Sequence, residues 1–284
     1  MKYHHVEVFA SQVCHGNGLT VVFPDHFLSD GMLLQIAQEF KQYETAFVFH
    51  KQDSNYPVRI FTVQEELQFA GHPVLGIGAL LHRLDYPDQI SQSISIALGP
   101  RIIEVQSHRE GDSYQVRMAQ GQPEFIYTLK EHQHARLCAL INLVPTDLAQ
   151  DFPLEVVSTG LPYLLVPVNG ALSKVHIKGE GFEEYLSQFG AKFMYVFDPA
   201  TLECRTWDNT GLFEDIATGS AAGPLVAYLV EHHLYGRDEP IHIHQGAYVG
   251  RPSRITGWWS DRKEDSGIHI EGEVVMFADG ELHI

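Results

Sequence analysis

The residues best placed for chemistry are one carboxylate and two polar side chains that each follow a glycine. Glu44 stands in the run QYETAFVF, where a helical pattern gives way to an apolar strand. Burial of a carboxyl group among neighbours such as Tyr43, Thr45, Ala46 and Phe47 disfavours its charged form and suits it to proton transfer. A carboxylate hydrogen-bonded in a turn would show the same local pattern.

The two polar side chains, His72 and Ser220, belong to stretches built on one plan. FAGHPVLGIGALL runs from Phe69 to Leu81, and ATGSAAGPLVAYL runs from Ala217 to Leu229, about half the chain away. Setting Gly71 against Gly219 aligns His72 with Ser220, Ala79 with Ala227 and Leu81 with Leu229. A glycine and a polar residue before an apolar run mark a buried helix N-terminus. Backbone N–H groups at such an end favour anions. The pair therefore predicts two lobes presenting helix ends to a shared cleft, and an enzyme that grips a carboxylate or similar group.

Each of these residues also has a plainer role. Pro73 suits a first helical position, which puts His72 at the opening as a neutral imidazole or as a cap. Ser220 reads as an N-cap that could also touch ligand. Asp215, in EDIATGSAAG, could hold the loop, orient a substrate or share proton transfer. His242 and His244 alternate on one strand, and His232 and His233 are adjacent, but no HExxH run or carboxylate–histidine cluster stands at ligand spacing, so no metal is expected. A GxSxG elbow and a P-loop are both lacking. Gly76 and Gly78 fall inside the apolar helix, where they allow close packing. Cys14, Cys138 and Cys204 form no CxxC, and Cys14 and Cys204 read as small buried residues.

The elements that must position these groups come in two similar series. Strands are expected over 6–9, 19–23, 45–50 and 58–62, with a helix capped by Ser29 and ending near Phe40. The His72 helix follows, then strands over 94–98, 102–106 and 114–119. In the second half, a helix over 131–141 precedes strands over 155–158 and 163–168. A short helix over 183–189, strands over 193–197 and 203–207, the Ser220 helix to about His233, and strands over 241–245, 253–258 and 268–275 complete it. The order strand, strand, helix, strand, strand, buried helix, strands occurs twice. The turn-like stretch at 120–123 divides an N-terminal lobe, 1–120 with 277–284 as its completing strand, from a C-terminal lobe, 121–276.

Composition sets the outer bounds. The chain has 284 residues, 44% hydrophobic and 19% charged, enough apolar material for a globular core. A net charge of −17 disfavours nucleic acid and anionic membrane surfaces as partners. An anionic substrate must then meet local positive potential from helix ends or a histidine. With no long apolar segment, the chain reads as cytoplasmic with reduced thiols.

With these residues assembled, the chain resembles the PhzF-like family of phenazine-biosynthesis isomerases, within the diaminopimelate-epimerase-like superfamily. The resemblance rests on VEVFASQVCHGNGLTVVF, QYETAFVF, VRIFTVQEELQFAGHPVLG, FEDIATGSAAGPLVAYL and QGAYVGRPSRI, in family order across nearly the whole chain. It implies an α+β fold of two similar lobes, each a curved mixed β-sheet wrapped around a central apolar helix, with the active site between them. It implies that Glu44 is the catalytic acid and base, and that Gly71, His72, Asp215, Gly219 and Ser220 hold the substrate. The implied chemistry is a cofactor-independent isomerisation of a small anionic metabolite, and the implied assembly a homodimer.

Epimerases of the superfamily carry two cysteines, one before each lobe's glycine. Ala70 and Thr218 occupy those positions here. Two-thiol chemistry at one carbon is therefore disfavoured, and a single carboxyl group that removes and returns a proton fits better. Gly18 also replaces a frequent family proline, and TWDNTGLFEDIATG departs from the usual opening, so the resemblance does not by itself assign the family's substrate. Two other readings remain open: a small-carboxylate binding protein without turnover, and a thiol epimerase using Cys14 or Cys204.

Overall fold

The computed structural model describes residues 1–284, which divide into two compact units: Met1–Met118 with Glu271–Ile284, and Ala119–Ile270. In the first unit the chain forms β1 (Lys2–Val8), β2 (Asn17–Phe23), α1 (Asp30–Phe40), β3 (Glu44–Val48), β4 (Asn55–Phe61), the short β5 (Glu66–Leu67), α2 (Gly71–Asp85), β6 (Ser91–Leu98), β7 (Arg101–Glu110) and β8 (Ser113–Gly121). The second unit contributes β9 (Glu124–Thr128), α3 (Glu131–Leu140), β10 (Glu155–Ser158), β11 (Pro162–Pro167), α4 (Phe182–Ser187), β12 (Phe193–Phe197), β13 (Glu203–Arg205), α5 (Gly219–Glu231), β14 (Ile241–Gln245) and β15 (Ser253–Ser260). The last strand, β16 (Gly267–Glu281), begins in the second unit and ends in the first.

In the first unit the strand order β1-β2-β3-β4-β6-β7-β8-β16 closes on itself, because β16 also pairs with β1. This ring surrounds α2, which packs against β1, β2, β3, β6 and β7. Every residue of α2 from Gly71 to His82 is buried. A helix enclosed on all sides must be apolar on all sides, which is why GHPVLGIGALL lacks a polar face. Each fully buried Val, Leu or Ile here contributes about 1.5–3 kcal/mol. Gly76 is required by close approach: a Cβ there would lie 2.8 Å from Leu19 and 3.0 Å from Val8. On the outer side of the sheet, α1 covers Val22, Phe47 and Phe61 with Leu33, Ile36 and Ala37.

The second unit repeats the plan. Its sheet runs β16-β15-β14-β13-β12-β11-β10-β9, and α5 packs on β10, β11 and β15. Ala221 through Val230 are all buried. Helices α3 and α4 pack on the opposite side around Leu137, Phe182, Tyr185 and Leu186. The duplication extends to strand direction. The pairs β1–β2, β3–β4 and β6–β7 are antiparallel, while β2–β3 and β4–β6 are parallel. The corresponding β10–β11, β12–β13 and β14–β15 are antiparallel, while β11–β12 and β13–β14 are parallel.

Several local expectations need correction. Strand β8 continues to Gly121, past the expected end at Ala119, and β9 starts at Glu124, so only Gln122 and Pro123 lie between the two strands. The alternation of β9, exposed at Glu124, Ile126 and Thr128, is too weak to be read from sequence. The last strand runs for 15 residues instead of ending at Val275. Strand β2 begins at Asn17, two residues before the expected start at Leu19.

Candidate active site

Parallel pairing sets Glu44 opposite Leu19 at the first position of β3. Its side chain is only 15% exposed. Helix α2 begins nearby at Gly71, with Ala70 as an extended N-cap that supplies no side-chain hydrogen bond. Pro73 is thus the third helical residue, and His72 the second, one turn position deeper than an opening at Pro73 implies. Proline is tolerated there because the first N–H groups of a helix have no intrahelical acceptor.

His72 Nε2 lies 3.4 Å from Glu44 Oε2. Burial is the main influence on the imidazole and lowers its pKa to about 3, against a smaller opposing effect of a hydrogen bond with the Gly18 backbone. The ring is therefore neutral across the physiological range. Nε2 makes no well-formed hydrogen bond. The proton that serves the Gly18 carbonyl must then sit on Nδ1, which leaves Nε2 with a lone pair directed toward Glu44. A neutral imidazole at this distance makes no charged pair with Glu44.

In the second unit, α5 begins at Gly219 after Thr218. Ser220 is therefore the second helical residue and not the cap. The first intrahelical donors are Ala221 and Ala222, both to the Thr218 carbonyl at 3.1 Å. Gly219 and Ser220 precede them, so their N–H groups are those left over at the helix start. The Ser220 hydroxyl and the Tyr163 hydroxyl are 2.8 Å apart. Gln120 Nε2 donates to the Gly219 carbonyl at 2.9 Å, and its Oε1 accepts from Thr159 at 3.0 Å. Gly223 is needed beneath this bridge, because a Cβ would fall 1.9 Å from Gln120 Oε1. Asp215 accepts a short hydrogen bond from the Thr218 hydroxyl. Thr218 in turn contacts Gln245, through N–H to Oε1 at 3.1 Å and Oγ1 from Nε2 at 3.0 Å.

The structure thus groups Glu44, Gly71 and His72 in one unit, and Asp215, Gly219 and Ser220 in the other. The duplication shows where they differ. Glu44 opposes Leu19 across β2–β3, and Phe193 opposes Tyr163 across β11–β12. Phe193 is the topological counterpart of Glu44, so only the first unit carries a carboxyl group at this position.

A sequence profile of the phenazine biosynthesis-like proteins matches residues 6–280. The chain belongs to the phenazine biosynthesis-like family. It is 30% identical, over its whole length and 99% of the relative, to trans-2,3-dihydro-3-hydroxyanthranilate isomerase of Pseudomonas aeruginosa. The solved structure of a predicted epimerase, also from Pseudomonas aeruginosa, is 39% identical with a TM-score of 0.92, covering 100% of this chain and 99% of that one. A probable proline racemase from Agrobacterium radiobacter shares the fold, with a TM-score of 0.63 at 10% identity over 100% of this chain and 93% of that one. The fold is therefore the diaminopimelate-epimerase-like α+β fold, and this phenazine biosynthesis-like protein is an isomerase.

In this family member two of the three thiols, Cys138 and Cys204, are buried. Cys204 is fully buried, and burial pushes its pKa well above the usual thiol range, so it carries no thiolate. Cys14 departs from the expectation of a buried residue: it is exposed in the loop before β2. His242 and His244 face solvent on β14. No helix is long and apolar enough to cross a membrane. Sequence reasoning missed Gln245, Tyr163 and Gln120 as supports of the second helix opening. A signal did exist for Gln245: it ends the alternating strand IHIHQ on the apolar face, where a polar side chain must find partners.

Proposed function

We propose that the protein moves a proton between two carbons of a small carboxylate-bearing metabolite, with Glu44 as both base and acid. Gly71, His72, Asp215, Gly219 and Ser220 hold the substrate in this scheme. The observation that carries it is the Glu44–His72 pair: a largely enclosed carboxyl group 3.4 Å from an imidazole that burial keeps neutral. A neutral imidazole does not hold the carboxyl group permanently ionised, so Glu44 is free to alternate between its two forms.

The steps follow from these residues. Backbone N–H groups around Gly71–His72 or around Gly219–Ser220 favour the substrate's carboxylate. His72 and Asp215 fix a carbonyl or amine beside the activated carbon. Glu44 takes the proton from that carbon, and the electron pair moves into the adjacent π-system. The same carboxylic acid then delivers the proton at another carbon as the double bond shifts. The scheme needs no cofactor, since one group is both acceptor and donor. The single carboxyl group, with Phe193 as its counterpart, supports one base over two.

The test is solvent exchange in heavy water. Pooled amino- and keto-acids, together with trans-2,3-dihydro-3-hydroxyanthranilate from the relative's name, serve as probes. Wild-type protein is expected to put deuterium into a probe, and Glu44→Gln, folded by circular dichroism, to abolish it. Full exchange in Glu44→Gln would overturn the role of Glu44. Binding of a probe without any exchange would instead support a binding protein.

A further inference from the structure

The stretch QGAYVGRPSRI has no part in the scheme above, yet it meets the loop that carries Asp215. Gln245 is 1% exposed at the end of β14. Its amide is saturated. Oε1 accepts from the Tyr195 hydroxyl at 2.9 Å and from the Thr218 N–H at 3.1 Å. Nε2 donates to the Asp215 carbonyl at 2.9 Å and to Thr218 Oγ1 at 3.0 Å. Two of these partners fix the amide's orientation: a backbone N–H can only donate, and a backbone carbonyl can only accept. Tyr195 is fully buried, and burial holds its hydroxyl protonated as a donor.

The same logic fixes the Thr218 hydroxyl. It accepts from Gln245 Nε2, so its one proton is left for another acceptor, and Asp215 Oδ2 receives it. Gly246 closes the arrangement. Its φ is +86°, and a Cβ there would stand 2.2 Å from the Arg251 carbonyl and 2.7 Å from the Ile216 carbonyl. The chain after Gln245 is therefore pressed directly on the loop before Thr218. Thr218 itself forms no capping bond to α5, because its hydroxyl is committed to Asp215.

We propose that Gln245 and Thr218 are positioning residues that fix the direction of the Asp215 carboxylate toward substrate, through the sequence Tyr195–Gln245–Thr218–Asp215. At the position where related epimerases carry a thiol, Thr218 supplies a hydroxyl that orients a neighbouring carboxylate. This inference rests on the role of Asp215 in the proposed function. The Gln245 amide and the Thr218 hydroxyl have their donors and acceptors committed to one geometry, and loss of one member releases the rest.

The test compares Thr218→Ser, Thr218→Val, Gln245→Leu and Asp215→Asn on the probe that wild-type protein exchanges in heavy water, alongside hydrogen exchange of the Thr218 amide. Thr218→Ser is expected to stay within about threefold of wild type, because it keeps the hydroxyl. Thr218→Val is expected to raise KM about tenfold or more with a smaller change in kcat, the order of one charge-assisted hydrogen bond. In the Asp215→Asn background, Thr218→Val should add nothing further, since both act through one carboxylate. Full activity in Thr218→Val, or losses that add in the double variant, overturns the proposal. Gln245→Leu reads the network without turnover: the Thr218 amide should lose protection. An amide as protected as in wild type sinks the proposal whatever the activity. If Asp215→Asn alone keeps full activity, the substrate-holding role of Asp215 fails, while the amide measurement still judges the network. Thr218→Val keeps the test open if Gln245→Leu does not fold.

Discussion

The imidazole of His72 presents an unprotonated Nε2 to Glu44 Oε2 at 3.4 Å, while its ring proton serves the Gly18 carbonyl on the other side. The relationship is directional. His72 can accept a proton-mediated contact from Glu44 but cannot supply a positive charge to it. His72→Phe removes that acceptor and keeps the ring volume. Deuterium incorporation into an active probe is expected to fall by about 10²-fold, at the lower end of what a proton-transfer group contributes. Glu44→Gln should fall further, and an equal loss in the two variants would place His72 in the proton transfer itself.

The same histidine gives the fold a pH dependence. Its folded pKa, about 3, lies below the ordinary value of 6.5. Between these values the unfolded chain binds a proton that the folded chain refuses. The stabilisation is fully present above about pH 6.5 and is lost as pH falls toward about 3, with a slope from this residue of about 1.4 kcal/mol per pH unit. Urea denaturation at about pH 7 and about pH 5 should show a smaller decrease for His72→Phe than for wild type. Equal decreases in the two proteins would contradict a buried neutral imidazole.

The thiols should separate cleanly by access. Cys14 is exposed, whereas Cys138 and Cys204 are buried with pKa values that burial raises, that of Cys138 to about 11. Iodoacetamide is expected to label Cys14 alone in the native protein and all three after unfolding. Mass spectrometry counts the labels, and isomerase activity should survive the native reaction. Loss of activity on labelling Cys14 would revive the thiol-epimerase reading.

Two glycines in helices should respond in opposite directions to alanine. At Gly76 an added methyl meets Leu19, Val8 and Val6 at 2.8–3.1 Å, inside the ring of strands. Gly76→Ala is expected to destabilise by about 1–3 kcal/mol through overpacking. At Gly31, in α1, nothing lies within 4 Å of the added atom. Gly31→Ala is expected to stabilise by about 0.4–1 kcal/mol, because it restricts the unfolded chain without a clash. Denaturant midpoints at unchanged m-value measure both.

Much of the fold was legible in local patterns because those patterns report burial. Helix α1 was readable from Ser29 and the spacing of Leu33, Ile36 and Ala37, and Ser29 indeed accepts from the Met32 N–H. The two apolar helices were readable because enclosure by a curved sheet removes any polar face. The helix starts were less legible. Ala70 and Thr218 make no capping bond to their own helices, so the usual sequence signature of a cap is absent and pointed to Ser220 and Pro73 instead. Strand β9 escaped notice because its alternation on a sheet edge carries little apolar contrast.

The sequence by itself determined the residue types available for chemistry. It placed one carboxyl group beside apolar residues, supplied two glycine-led helix openings, and left Ala70 and Thr218 where thiols would stand. Tertiary structure decided how those groups are oriented. The neutral state of His72 depends on burial within the first unit, which outweighs the opposing hydrogen bond with the Gly18 backbone. The direction of Asp215 depends on Thr218 and on Gln245, which lies 30 positions further along the chain. Neither follows from local pattern, because a side chain's partners, and the proton each one leaves free, are set by segments that only the folded sheets bring together.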